Sequence, residues 1–153
     1  MRKVLFFFLL ICMGNMAGAQ LIYPYGDIKL EKPSDYKETE KLALSAATYL
    51  ISTPFAEGDA DRNAAFKFLN DWMIGTKDYQ FYLQGKAAEI MEDRDLVRFF
   101  VAAMAKYTFE NKAGAANPLV VDQNASKMVI AYCDNPKNNF KLKKKYRKIL
   151  EKN

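Results

Sequence analysis

The 153-residue chain contains no histidine. That absence removes the commonest general base, the Ser-His and Cys-His nucleophile pairs and most transition-metal sites. An enzyme built on this sequence would have to work with carboxylates, tyrosine, lysine or bare hydroxyls. Cysteine is scarce as well, with two in the whole chain, Cys12 and Cys133. No internal repeat and no low-complexity linker interrupts the sequence, so a second domain is not expected. The one long apolar run, Val4 to Met13, is shorter than the about 20 residues a membrane-spanning helix needs.

That run is flanked as an export signal is. Arg2 and Lys3 precede it, and Ala17-Gly18-Ala19 follows it before Gln20. A positive start, a short apolar core and an Ala-x-Ala site are the parts a signal peptidase reads, which predicts a cleaved signal peptide over 1–19 and a periplasmic or extracellular location. Lipidation at Cys12 is disfavoured by Ile11, which is bulky where small residues are wanted, and by the Ala-x-Ala site downstream. Beyond residue 19 there remain 134 residues, enough for one domain with a real core. Cys133 is then the last cysteine, so no intrachain disulfide can form, and its place beside Tyr132 at the edge of an apolar stripe predicts a buried, inert thiol.

The net charge of +5 is unevenly spread. Residues 137–153 hold seven lysines and Arg147 against Glu151, whereas residues 20–136 hold 13 basic and 17 acidic residues. The chain therefore reads as a mildly acidic body with a basic end.

Taken in order, residues 20–34 contain Tyr23-Pro24-Tyr25-Gly26 and close on Pro33, which predicts an extended arm that is either free to bind or stapled to the body. Asp35 with Glu38 looks like a capping box opening a helix from Tyr36 to Ser52, lined inside by Leu42, Ala43, Ala46, Ala47, Tyr49 and Leu50. Pro54 ends it. A second helix, from Asp61 to Ile74, turns Ala65, Phe68, Leu69, Trp72 and Met73 inward, with Gly75 at the place of a left-handed C-cap. The aromatic stretch Asp78 to Leu83 fits either an extended segment or a helical turn, and a short helix is plausible over 85–91. Asp95 to Lys112 is the longest segment with helical spacing. Leu96, Val97, Phe100, Val101, Ala103, Met104 and Tyr107 give it an apolar face wide enough for several neighbours, so it is expected at the centre of the bundle. Asn117-Pro118 reads as N-cap and first turn of a helix reaching Cys133. A last basic helix over 139–152 would gather Leu142, Tyr146, Ile149 and Leu150 on one seam.

Five places invite a functional reading. Asp59, Asp61 and Asn63 occupy the first, third and fifth positions of a calcium loop, but Ala64 stands where glycine is wanted and Asn70 where glutamate is wanted, and acidic residues before a helix are explained by capping. Glu89, Glu92, Asp93 and Asp95 form a carboxylate run that suits either a glycosidase pair or a solvated turn. The basic end offers Lys141, Lys143, Lys144, Lys145, Arg147 and Lys148 to an anionic lipid or other polyanion, or else serves as a solubilising face of a final bundle helix. Export disfavours nucleic acid as the partner. Phe99 and Phe109 fall on the charged side of the central helix, so that helix is either covered all round or presents an aromatic contact surface. Asn124-Ala125-Ser126 also matches a glycosylation acceptor, inside a predicted helix.

The segments Tyr49-Leu-Ile-Ser-Thr-Pro-Phe55, Phe68-Leu-Asn-Asp-Trp-Met-Ile-Gly75 and Phe100-Val-Ala-Ala-Met-Ala-Lys-Tyr107 resemble stretches of small exported helical proteins of bacteria. The resemblance covers about the middle half of the chain beyond the signal. It implies a helical fold and an exported address, with no activity or site attached. Together these readings predict an all-α, single-domain bundle of about five helices over 35–153, preceded by a signal peptide and an arm. They predict a non-enzymatic protein without cofactor that works through a protein partner. Binding of anionic surfaces is the alternative, and a carboxylate-dependent hydrolase comes third.

Overall fold

The computed structural model describes residues 25–152. The predicted signal peptide and the first residues of the arm lie outside that range. The described residues form seven α-helices and three short 3-10 turns, with no strand among them. The helices are α1 (Pro33–Glu38), α2 (Glu40–Ser52), α3 (Ala60–Gly75), α4 (Lys86–Glu89), α5 (Arg94–Glu110), α6 (Pro118–Asp134) and α7 (Lys144–Leu150). None is long and apolar enough to cross a membrane.

α5 is the central element, as its wide apolar face predicts. On one side Leu96, Phe99, Phe100, Ala103 and Met104 pack with Val121, Ala125, Val129 and Tyr132 of α6 and with Tyr146 and Leu150 of α7. On the other side Ala102, Ala105 and Phe109 meet Ala43, Ala46, Ala47 and Leu50 of α2 and Ala65, Phe68, Leu69 and Trp72 of α3. Alanines face alanines between α2 and α5, and all five are fully buried, because only a side chain this small lets two helices pack closely there. Phe99 and Phe109 are 2% and 7% exposed, which decides between the two readings in favour of a covered helix and against an aromatic contact surface. The helix is covered nearly all round, so its charged side is interrupted by these two rings rather than continuous.

Several boundaries differ from those the sequence suggests. The first helix begins at Pro33, and Asp35 is its third residue, where its carboxylate accepts the backbone N–H of Glu31 at 2.9 Å and Lys32 at 3.0 Å. It then breaks at Thr39, separating α1 from α2. The break is fixed by Trp72, whose indole Nε1 donates to the Tyr36 carbonyl and to Thr39 Oγ1, both at 3.0 Å. Gly75 is helical rather than left-handed. It is needed for space, since a Cβ there would land on the Tyr36 hydroxyl. The arm is docked. Tyr25 is buried in a 3-10 turn and stacks on Phe68 with ring centroids 5.6 Å apart.

The C-terminal helix is also shorter than expected, starting only at Lys144. Asn139 takes a left-handed conformation with φ 54°, and Phe140 is drawn into edge contacts with Phe55 and Phe99 at 5.4 and 4.8 Å. Residues 140–143 therefore run as a non-helical strap before α7.

Burial of Phe99 among Phe55, Tyr132 and Phe140 makes it a folding determinant. Phe99→Ala is expected to lower stability by about 3–5 kcal/mol, and Phe99→Asp to abolish cooperative unfolding. Thermal melts followed by far-UV circular dichroism check both.

Candidate functional site

The residues singled out by sequence fall in three places. Asp59 is the N-cap of α3, its Oδ1 accepting from the backbone N–H of Asp61 at 2.9 Å and Arg62 at 3.1 Å. Asn63 Oδ1 accepts from the Arg98 guanidinium at 3.0 Å. The three calcium candidates thus do not converge, and among the described residues no cluster of three or more carboxylate or thiol groups is placed to hold a metal.

The basic end and the carboxylate run, which the sequence offers as separate features, lie against each other. Lys143 pairs with Asp93 at 2.9 Å, Lys145 with Glu92 at 2.8 Å and Lys152 with Glu89 at 2.9 Å. Arg147 joins Asp134 through both terminal nitrogens and Glu151 at 3.5 Å. Asp95 pairs within its own helix with Arg98. The Lys145 ammonium holds the Glu92 carboxyl below its ordinary value, and Arg147 does the same for Asp134. Surface pairs of this kind contribute little net stability. Burial of Tyr146 and Leu150 contributes more, at about 1.5–3 kcal/mol for each apolar side chain. The apolar seam of α7 therefore holds the basic end against the body, and the ion pairs line its surface. Lys141, Lys144 and Lys148 remain exposed with no partner among the described residues.

Two buried cations were not legible in the sequence, and both end helices. Arg62, 6% exposed, donates to the Leu50 carbonyl at 2.6 Å, the Thr53 carbonyl at 3.2 Å and Thr53 Oγ1 at 2.8 Å. Lys86, 8% exposed, donates to the Leu150 carbonyl at 3.0 Å. A cation suits the end of a helix, where carbonyls lack partners and the dipole is negative. Cys133 is partly covered, and burial pushes its thiol up to about 12, so the thiolate needed for reaction is scarce at neutral pH.

A groove of about 460 Å³ is lined by Asp78, Tyr79, Gln80, Tyr82 and Thr108, with Glu40, Lys112, Ala115 and Ala116 completing it. It forms where the start of α2, the end of α5 and the irregular segment 76–85 meet. A single oxygen organises its polar side: Glu40 Oε1 accepts from the Tyr79 hydroxyl at 2.8 Å and from Lys112 Nζ at 3.2 Å. Lys112 Nζ also lies 5.4 Å from the Tyr79 ring centroid. Burial raises the Tyr79 phenol, and the neighbouring Tyr79 and Glu40 raise the Lys112 ammonium. Both groups therefore keep their protons at neutral pH and act as donors, not as bases. Sequence alone missed this groove because its polar partners Glu40 and Lys112 are 72 residues apart.

Comparison with known proteins finds no matching family model, no matching curated protein and no matching solved structure.

The ion pairs of the basic end have a defined pH window. The depressed carboxylates Glu92 and Asp134 contribute stability above their unfolded values, near pH 4, and lose it as pH falls through their folded ones. The raised Lys143 and Lys145 contribute below about pH 10.4 and lose it as pH rises further. Acidification from about pH 5 to pH 3 is therefore expected to lower the melting temperature, and by a smaller amount in the Glu92→Gln/Asp134→Asn double variant. Differential scanning fluorimetry across that range reads the difference. Equal acid sensitivity in both proteins would contradict the assignment.

Proposed function

We propose that this is an exported, non-enzymatic helical protein that works by binding a partner, and that the groove beside Glu40, Tyr79 and Lys112 is where it binds. The observation that carries this reading is the groove's chemistry. Its size falls within the about 300–1,000 Å³ typical of ligand sites, and its convergent polar groups are fixed donors and acceptors. Chemistry by general base would need a group whose proton leaves near neutral pH. Tyr79 and Lys112 are shifted the wrong way for that.

The hydrolase reading draws less support. Glu89, Glu92, Asp93 and Asp95 each face a cation, and Glu92 is held below its ordinary value instead of being raised as a general acid requires. Asp122 is a carboxyl raised by burial, yet it lines only a recess of about 10 Å³ with no second carboxylate in the lining. Export itself rests on the sequence of residues 1–19.

Binding of an anionic surface is kept as the second reading on one observation: Lys141, Lys144 and Lys148 are exposed and unpaired among the described residues. Deleting the whole basic end is a poor test, since Tyr146 and Leu150 belong to the core. Substituting the three unpaired lysines by glutamine leaves the core and the ion pairs untouched. A pull-down from a native envelope fraction at low and high salt, with the wild type, the triple-lysine variant and Lys112→Ala, separates the readings. Partner binding is expected to survive high salt and the triple change, and to fall at least tenfold with Lys112→Ala. Recovery of salt-labile polyanions alone, lost in the triple variant, would overturn it in favour of the anionic-surface reading.

A further inference from the structure

The segment that walls the groove has an open backbone. From Tyr79 to Leu83 no backbone N–H or C=O has a hydrogen-bond partner among the described residues. The neighbouring backbone is engaged: the Asp78 N–H donates to Thr76 Oγ1 at 3.3 Å, and the Gln84 carbonyl accepts from the Ala87 N–H at 3.2 Å. Side chains alternate from Tyr79 to Tyr82, and Leu83, 49% exposed, ends the pattern. Tyr79 and Phe81 turn in, with ring centroids 5.3 and 6.2 Å from that of Phe109, while Gln80 and Tyr82 are exposed. Two residues reaching one ring at a spacing of two is the pattern of an extended strand. The chain thus pins an extended segment by alternate aromatic anchors and leaves a row of backbone donors and acceptors open.

Such a row is the feature to which another extended backbone adds by strand pairing. Charge sets the rest of the preference. Glu40 is balanced by Lys112, whereas Asp78, also in the groove lining, has no ion-pair partner among the described residues. Tyr82, 44% exposed, offers its ring at the rim, with its hydroxyl donating to Gln80 Oε1. We infer that the groove's ligand is an extended peptide segment that pairs with the backbone of residues 79–83 and places a basic side chain near Asp78. This rests on the reading of the groove as the binding site and names the partner's chemistry. The two carboxylates in the lining against one ammonium argue against a polyanion there.

The test pans a phage-displayed random dodecapeptide library against the full chain and synthesises an enriched peptide in two forms, native and N-methylated at alternate amides. Expected are peptides enriched in Lys or Arg, at least tenfold weaker binding of the N-methylated form and of the native form to Asp78→Asn, and slowed hydrogen exchange of amides 79–83 on binding. Exchange is read on the wild type, so the result does not depend on a variant that folds. Failure to enrich any peptide above an unrelated control, or an enriched peptide that tolerates N-methylation, overturns the inference. So does a peptide that protects a different surface. In the first two cases the envelope pull-down still decides the partner-binding reading independently. In the third, partner binding stands and the groove falls as its site.

Discussion

The guanidinium of Arg62 sits where four parts of the fold meet, and the rest of the architecture depends on it. It donates to the Leu50 and Thr53 carbonyls that end α2, while its own helix, α3, begins three residues earlier at the Asp59 cap. The Thr53 carbonyl also accepts the Tyr132 hydroxyl of α6 at 2.8 Å. Its charge lies 5.6 Å from the Phe99 ring of α5 and 5.9 Å from both Tyr49 and Phe55. Among the described residues no carboxylate is in ion-pair range of it. Carbonyl oxygens and aromatic faces therefore replace the counter-ion, which a buried charge otherwise requires.

The same node fixes the C-terminal strap. The Phe55 N–H donates to the Asn138 carbonyl at 2.8 Å, and Asn138 Nδ2 donates to the Tyr132 carbonyl at 2.8 Å. Phe140 then closes over Phe55 and Phe99. Once the chain is held here, Lys143 of the strap, Lys145 of α7 and Lys152 beyond it are carried across to Asp93, Glu92 and Glu89. A loop at the end of α2, a buried arginine and a left-handed asparagine together decide where the basic end lies.

Local signals were legible. Apolar spacing marks α5 as central, and Asn117-Pro118 does start α6, with Asn117 Oδ1 accepting the Leu119 N–H at 3.0 Å. Helix periodicity and caps act within a few residues, so sequence shows them directly. What it hid is long-range. Phe99 and Phe109 look solvent-facing on a single wheel, because a wheel cannot show that a helix has neighbours on both sides. Arg62 looks like an ordinary surface residue of α3 until the carbonyls of α2 are brought to it. The basic end reads as one continuous helix by composition, and the pull of Phe140 on the core overrides that propensity. The groove is assembled from α2, α5 and an irregular segment, so no local motif announces it.

Equilibrium unfolding of Arg62→Met, beside Arg62→Lys, tests the central dependence most directly. Methionine fills much of the volume but leaves the Leu50 carbonyl without its donor, and the predicted loss is at least about 2 kcal/mol, since one orphaned buried acceptor costs about 1–3 kcal/mol and the aromatic contacts of the charge add to it. Lysine keeps the charge without the forked geometry, so it should fall between the two. An Arg62→Met protein within about 0.5 kcal/mol of the wild type, the range of an ordinary surface change, would contradict the account.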